Sequence, residues 1–188
     1  MLSLLQTAER TTNTVPVGNY VYQRHAFAYV RAIDHIGDNV IELGCGSGYG
    51  MQMLAPSCSW YVGLDKYIPQ NRSASINTAF FKARFPDLRN IGDNSFDTVI
   101  CFQVIEHIKK DGRLLEEARR VLKPGGRLLL TTPNRRASMA KRSSGNIMRA
   151  TKKAWRASCA GIYSISHDDF YTGALNSNCL DFFVVAEK

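Results

Sequence analysis

From position 39 onward, short runs rich in Val, Ile and Phe alternate with longer amphipathic or polar stretches. βαβ units produce that rhythm. The pattern predicts strands at 40–43, 60–64, 79–82, 98–102, 127–132 and 180–186. Several are apolar at every position rather than at alternate ones, as in Val99-Ile100-Cys101-Phe102 and Leu128-Leu129-Leu130. Strands buried on both faces read that way, so an α/β fold is expected, with a mainly parallel sheet and helices on both faces. Residues 112–122 set Leu114, Leu115, Ala118, Val121 and Leu122 at helical spacing, with Glu116, Glu117, Arg119 and Arg120 elsewhere around the turn. This predicts a crossover helix, ended by Lys123-Pro124-Gly125-Gly126.

Two regions follow other patterns. Residues 20–36 are aromatic-rich with helical period, through Ala26, Val30 and Ile33 and through Tyr22, Ala26 and Tyr29, which predicts a helix beside the sheet. Near the far end, residues 165–171 and a polar stretch at 172–178 with Gly173, Asn176 and Asn178 precede the last strand. So short a link holds no crossover helix, and the final pair is expected to be antiparallel. The expectation is one domain over 1–188, with an N-terminal helical segment at 1–36, a core at 37–134, a basic segment at 135–163 and a terminal strand pair at 164–188.

Composition narrows the class. With 188 residues, 45% hydrophobic and 21% charged, the chain can bury a sizeable core, which excludes a disordered tail, a collagen-like repeat and a disulfide miniprotein. The net charge of +8 is concentrated, because 135–156 carries Arg135, Arg136, Lys141, Arg142, Arg149, Lys152, Lys153 and Arg156 and no acid. The remainder balances, so a uniformly basic nucleic-acid binder is not expected. The segment suits an anionic surface or partner, or simply a solvated face, and nucleic acid is disfavoured because Trp155 alone interleaves the charges. Five scattered cysteines never take CxxC spacing, so neither a metal site nor a disulfide framework is expected. Met1-Leu2-Ser3-Leu4-Leu5 reaches Glu9 and Arg10 without a basic leader or cleavage site, and no run reaches about 18 apolar residues. No secretory signal or transmembrane segment is therefore expected, and the location is expected to be cytoplasmic.

The chemistry centres on Val40-Ile41-Glu42-Leu43-Gly44-Cys45-Gly46-Ser47-Gly48-Tyr49-Gly50. Glycines at the end of a buried strand let the backbone turn tightly and approach a nucleotide-like ligand where a Cβ would collide. A dinucleotide GxGxxG fingerprint would need Gly at 49, where Tyr49 stands, which disfavours a nicotinamide oxidoreductase. Glu42 is an acid in an apolar strand, expensive unless backbone N–H groups or a cationic ligand pair with it. Asp65 ends the next strand, where an acceptor pair can hold both hydroxyls of a ribose; its other reading is a cap on the following helix.

With these residues in view, the chain resembles the class I S-adenosylmethionine-dependent methyltransferases, of the small-molecule group called methyltransferase type 11. The resemblance extends to Ser95-Phe96-Asp97-Thr98-Val99-Ile100-Cys101-Phe102-Gln103-Val104-Ile105-Glu106-His107-Ile108 and to the block from Arg120 through Lys123-Pro124-Gly125-Gly126 to Asn134, and so covers about half the chain. It implies a Rossmann-like seven-stranded sheet with an antiparallel last strand. It implies S-adenosylmethionine as cofactor, with Gly44, Cys45, Gly46 and Gly48 against its adenosine and methionine parts, Asp65 at the ribose, Phe102 and Gln103 beside the methionine portion, and Glu42 and Lys66 as further cofactor contacts. Relatives often carry an acid after the third strand for adenine; here Phe81-Lys82-Ala83-Arg84-Phe85-Pro86-Asp87 puts Asp87 late, leaving backbone around Ala83 and Phe85.

The Asn/Asp-Pro-Pro-Tyr loop of amine-directed relatives is absent; Gln103-Val104-Ile105-Glu106-His107 stands there. The expectation is therefore methyl transfer to a small-molecule or lipid/saccharide-like acceptor at oxygen, with nitrogen and carbon open. His107 is the candidate base, its other reading being that Glu106 and His107 cap a helix or hold the loop. His25, among Tyr20, Tyr22, Phe27 and Tyr29, lies in a segment resembling the family's lid, or on a packing face, and is a candidate substrate contact with Asn134 and Arg135. Arg24 beside it is a candidate partner for the methionine carboxylate. The competing reading is a non-catalytic S-adenosylmethionine-binding module acting through its basic segment.

Overall fold

The computed structural model describes residues 20–67, 76–133, 159–165 and 181–188. Strands β1 (Asn39–Leu43), β2 (Trp60–Asp65), β3 (Thr78–Lys82), β4 (Phe96–Phe102), β5 (Leu122–Pro133), β6 (Cys159–Ile165) and β7 (Asp181–Glu187) form one sheet in the order β3-β2-β1-β4-β5-β7-β6. β1 pairs in parallel with β2 and β4, β2 with β3, and β4 with β5. β7 runs antiparallel to both β5 and β6. The antiparallel last strand is thus as expected.

Strand alternation sorts the core into two layers. Val40, Tyr61, Ile100, Phe102, Leu129 and Phe183 point to one face, against Ala28, Tyr29 and Ala32 of α1 (Tyr20–Ala32) and Met51 and Leu54 of α2 (Tyr49–Leu54). Ile41, Leu43, Val62, Leu64, Val99, Cys101, Leu128 and Leu130 point to the other, against Leu114, Leu115, Ala118 and Val121 of α3 (Asp111–Val121). Each fully buried aliphatic side chain contributes about 1.5–3 kcal/mol, so the central strands carry much of the burial that holds the fold together. Two covered faces explain why these strands are apolar without alternation.

Three boundaries differ from expectation. α1 gives way at Ala32 to a single 3-10 turn, Ile33–His35. β5 begins at Leu122, before the Lys-Pro-Gly-Gly block, because Leu122 pairs with Phe96 and the register shifts before Thr98 meets Arg127. Gly125, at φ +75°, carries the chain through that irregularity. The partner of β7 is β6 at Cys159–Ile165, which begins inside the stretch assigned to the basic segment, rather than residues 165–171. The rest of the basic segment, including 135–156, lies outside the described residues.

The link from β3 to β4, residues 83–95, contains no helix. Arg120 on α3 holds it instead, donating to the carbonyls of Leu88 and Ile91 at 2.8 Å each and pairing with Glu117 at 3.0 Å. Glu117 in turn accepts the Leu88 N–H at 3.2 Å. Asp97 closes the base of the sheet, accepting from the Asn39 backbone, the Asn39 amide and Lys123, all at 2.9 Å. Among the described residues no helix is long and apolar enough to cross a membrane.

Candidate active site

The glycine loop stands at the carboxyl ends of β1 and β2. The Gly44 and Cys45 N–H groups both donate to the Leu64 carbonyl, at 2.7 and 3.0 Å, which turns the chain sharply over β2. Gly44, Gly46 and Gly48 take φ of +86°, +56° and +82°, where an L side chain is strained. A Cβ on Gly46 would meet no atom within 4 Å, so the loop's backbone faces open space there. The Gly46 N–H donates to Asp65 Oδ2 at 2.9 Å. Asp65 also accepts from the Tyr67 N–H at 2.9 Å, so this acid braces the loop as well as standing at the strand end. Lys66 is exposed, with Nζ 5.1 Å from the centroid of the Tyr67 ring. Cys45 is buried, its Sγ 3.0 Å from where a Cβ on Gly63 would lie.

Glu42 is 1% exposed, and its partners are neither backbone groups nor a cation. The Tyr29 hydroxyl donates to Oε1 and the Tyr61 hydroxyl donates to Oε2 at 2.9 Å. Burial pushes the Glu42 carboxyl up to about 7, although both hydroxyl donors act to lower it. Burial first, and Glu42 second, push both tyrosine hydroxyls well above their ordinary range.

The end of β4 forms the neighbouring wall. Phe102 is 7% exposed and packs edge-on to Tyr29 at 5.1 Å between ring centroids, so its ring belongs to the α1-side core. Gln103 takes a positive φ of 55°, and its N–H and side-chain amide both donate to Thr131 Oγ1 of β5 at 3.2 Å. A non-glycine residue is uncommon in that conformation, and the bonds to Thr131 hold it there. Val104 packs onto Gly44, and one turn later His107 sits exposed on the 3-10 turn Ile105–His107. Its N–H donates to the Val104 carbonyl at 2.9 Å.

Towards β3, the Ala83 N–H donates to the Asp65 carbonyl at 2.9 Å, extending the β2–β3 pairing past the strand. A cleft of about 870 Å³ opens there between the link and a floor of Ile41, Val62 and Leu64, with Ala83 in its wall. Asp87 is occupied by Arg89, whose guanidinium makes a 2.6 Å ion pair and holds the carboxyl below its usual range. On the α1 side, His25 Nδ1 lies 3.2 Å from the Tyr49 hydroxyl, and Tyr49 packs edge-on to Tyr29 at 5.4 Å. The site therefore brings the glycine loop, Asp65, Gln103 and Val104 together, while Asn134 and Arg135 lie outside the described residues and the Arg24 side chain is likewise undescribed. Tyr61 and Thr131 were not singled out from sequence, and Tyr29 and Tyr49 stood out there only as part of an aromatic helix face and as the residue that breaks a dinucleotide fingerprint. The available signal was the isolated acid of β1, which demanded a donor.

A strand order of β3-β2-β1-β4-β5-β7-β6 with a glycine loop and an acid at adjacent strand ends defines a Rossmann-like domain for a nucleoside cofactor. Residues 41–130 match the family model described as a methyltransferase domain. A probable S-adenosylmethionine-dependent methyltransferase of Mycolicibacterium smegmatis is 37% identical over 139 residues, covering 69% of this chain and 51% of that one. Human thiol S-methyltransferase TMT1B is 31% identical over 115 residues, covering 55% and 48%. The structure of an S-adenosylmethionine-dependent methyltransferase from Mesorhizobium loti superposes with a TM-score of 0.66 at 14% identity, covering 88% of this chain and all of that one. The chain belongs to the class I S-adenosylmethionine-dependent methyltransferases. It spans about half the length of the two relatives. The cofactor of this family is S-adenosylmethionine, and the open backbone at Gly46 beside the Asp65 carboxylate fits it: the cradle is one that a Cβ would fill.

Proposed function

We propose that this domain binds S-adenosylmethionine across Gly44–Gly48 and Asp65 and directs its methyl group to a small-molecule acceptor at a protic oxygen. The observation that carries the reading is Asp65 Oδ2 accepting the Gly46 N–H at 2.9 Å beneath open space. One carboxylate then shapes the loop and faces the ribose, with Lys66 next to it. When bound, the cofactor supplies a methyl on a positively charged sulfur, whose loss leaves a neutral thioether. The chain's own task is to position the acceptor, keep water out and take a proton. His107 takes the acceptor's proton on its imidazole, and Gln103 lines the methionine side through a backbone that Thr131 locks. His25, held to Tyr49, closes the α1 side over the acceptor, and backbone around Ala83 borders adenine. Asn134 and Arg135, following β5, contact the acceptor, and the basic segment 135–156 meets an anionic surface or partner.

A second reading is transfer to a thiol, favoured by the relative named a thiol S-methyltransferase. Both acceptor types need the same proton removal, so the site chemistry serves either. The relatives are named as enzymes, which favours catalysis over a silent binding module. Transfer of radiolabelled methyl to panels of phenols, alcohols and thiols tests the proposal. Label on a hydroxyl compound supports the oxygen reading, label on thiols alone replaces it with the sulfur reading, and no transfer with intact cofactor binding overturns the enzymatic one.

A further inference from the structure

We infer that Tyr29, Glu42 and Tyr61 form a proton-linked clamp: a cationic cofactor arriving at the glycine loop drives a proton off the Glu42 carboxyl into solvent, and Tyr29 carries the change to α1. The inference rests on the cofactor site proposed above. The three side chains come from α1, β1 and β2, and they meet inside the core two residues before the loop begins. Glu42 is 1% exposed, with one hydroxyl donor on each carboxylate oxygen. The groups around it are Tyr29 from α1, Tyr61 and Asp65 from β2, and Cys101 from β4. Tyr49 of α2 and Cys45 of the loop stand just beyond, acting on the two tyrosines. All are neutral or acidic, so within this set only the two tyrosine hydroxyls offset a negative charge on Glu42, and no cation does.

Burial therefore holds the carboxyl close to half-protonated near neutral pH, at about 7, with Asp65 adding to the push. A sulfonium and an ammonium brought to the adjoining loop favour the ionised form, and linkage requires that ionisation favours their binding equally. An ionised carboxylate also draws the Tyr29 hydroxyl more strongly than a neutral acid does. Tyr29 is well placed to pass that on. Its ring packs against Tyr49 and Phe102, and a Cβ on Gly50 would lie 2.2 Å from it, so the ring keys α1 onto the first turn of α2. His25, one turn earlier on α1, reaches the same helix through Tyr49. Tyr29 is thus a positioning residue, tightening the lid helix as the cofactor charges Glu42.

Calorimetry of the full chain with S-adenosylmethionine, in buffers of different ionisation enthalpy from pH 5.5 to 8.5, reads the clamp directly. Affinity is expected to rise roughly tenfold from pH 6 to pH 8, with up to about one proton released near neutrality. S-Adenosylhomocysteine, which lacks the sulfonium charge, is expected to show a smaller rise. Glu42→Gln flattens the profile, whereas titration of His25 would persist in that variant. Tyr29→Phe removes a donor to the carboxylate and moves the midpoint to higher pH, while a merely structural Tyr29 would weaken binding alike at every pH. Should Glu42→Gln not fold, the wild-type proton count and the Tyr29→Phe midpoint carry the test. Binding without proton release, or a Glu42→Gln profile like the wild type, overturns the clamp alone; a folded wild type that binds S-adenosylmethionine at no pH overturns the cofactor reading beneath it.

Discussion

A Cβ on Gly44 would stand 2.3 Å from Cγ2 of Val104, so the glycine loop after β1 and the turn after β4 that carries His107 are in direct contact. That contact makes the cofactor cradle and the candidate base parts of one packed unit. Gly44→Ala is expected to destabilise the fold, because φ +86° costs an alanine about 1–2 kcal/mol before the clash is counted. Pairing it with Val104→Ala relieves the clash and leaves the backbone strain. Urea midpoints should therefore rank wild type above the double variant, and the double variant above Gly44→Ala.

Asp65 braces Gly46 through a charge-assisted hydrogen bond and also faces the proposed ribose. Replacement by Ala should weaken S-adenosylhomocysteine binding by about 1.5–3 kcal/mol, roughly ten- to a hundredfold, with less effect from Asn, which keeps an acceptor for the Gly46 N–H. Calorimetry on both variants measures the difference.

His107 is exposed on its turn and contributes little to the core, so His107→Gln should leave cofactor affinity and melting temperature near wild type. If it takes the acceptor's proton, kcat falls by roughly a hundredfold or more, within the range of general-base catalysis. Steady-state kinetics with the acceptor found in the methyl-transfer panel separate the two terms.

Arg120 replaces a helix as the fastener of the link between β3 and β4. Arg120→Ala leaves the Leu88 and Ile91 carbonyls without this donor and should cost about 1–3 kcal/mol, read as a lower thermal midpoint. Lys is not expected to restore it, since one ammonium cannot reproduce the fork that reaches two carbonyls and Glu117.

Asp97 gives stability a definite acid limb. Burial raises its carboxyl, but the Lys123 and Asn39 donors together outweigh that and hold it below its ordinary value. A depressed acid means the unfolded chain binds the proton first, so its contribution is complete above the unfolded carboxyl range and is lost as pH falls through the folded value. Urea midpoints from pH 6 down to pH 3 should fall less steeply for Asp97→Asn than for the wild type.

The central strands and α3 were legible because burial on both faces leaves no polar alternation, as Val99–Phe102 and Leu128–Leu130 show. β6 was misplaced because Cys-Ala-Gly-Ile-Tyr-Ser-Ile mixes small and polar residues, as an outermost strand can. The start of β5 was hidden by Pro124 and two glycines, which signal a turn locally while Leu122 pairs with Phe96 across the sheet. That the glycine loop and Asp65 stand at adjacent strand ends was readable from spacing. The partners of Glu42 were not, because Tyr29 and Tyr61 lie 13 and 19 positions away and meet it only once α1 and β2 have packed.

The helix-free link from β3 to β4 has one more consequence. Its wall is fastened by side chains rather than by a rod of its own: Arg120 and Glu117 grip its backbone, and Leu88 anchors it in the core that Phe85 and Ile91 pack against. On that flank, changes confined to exposed positions such as Arg89 and Asn90 reshape the rim of the cleft, whereas changes at Leu88 or Arg120 reach the core beneath it.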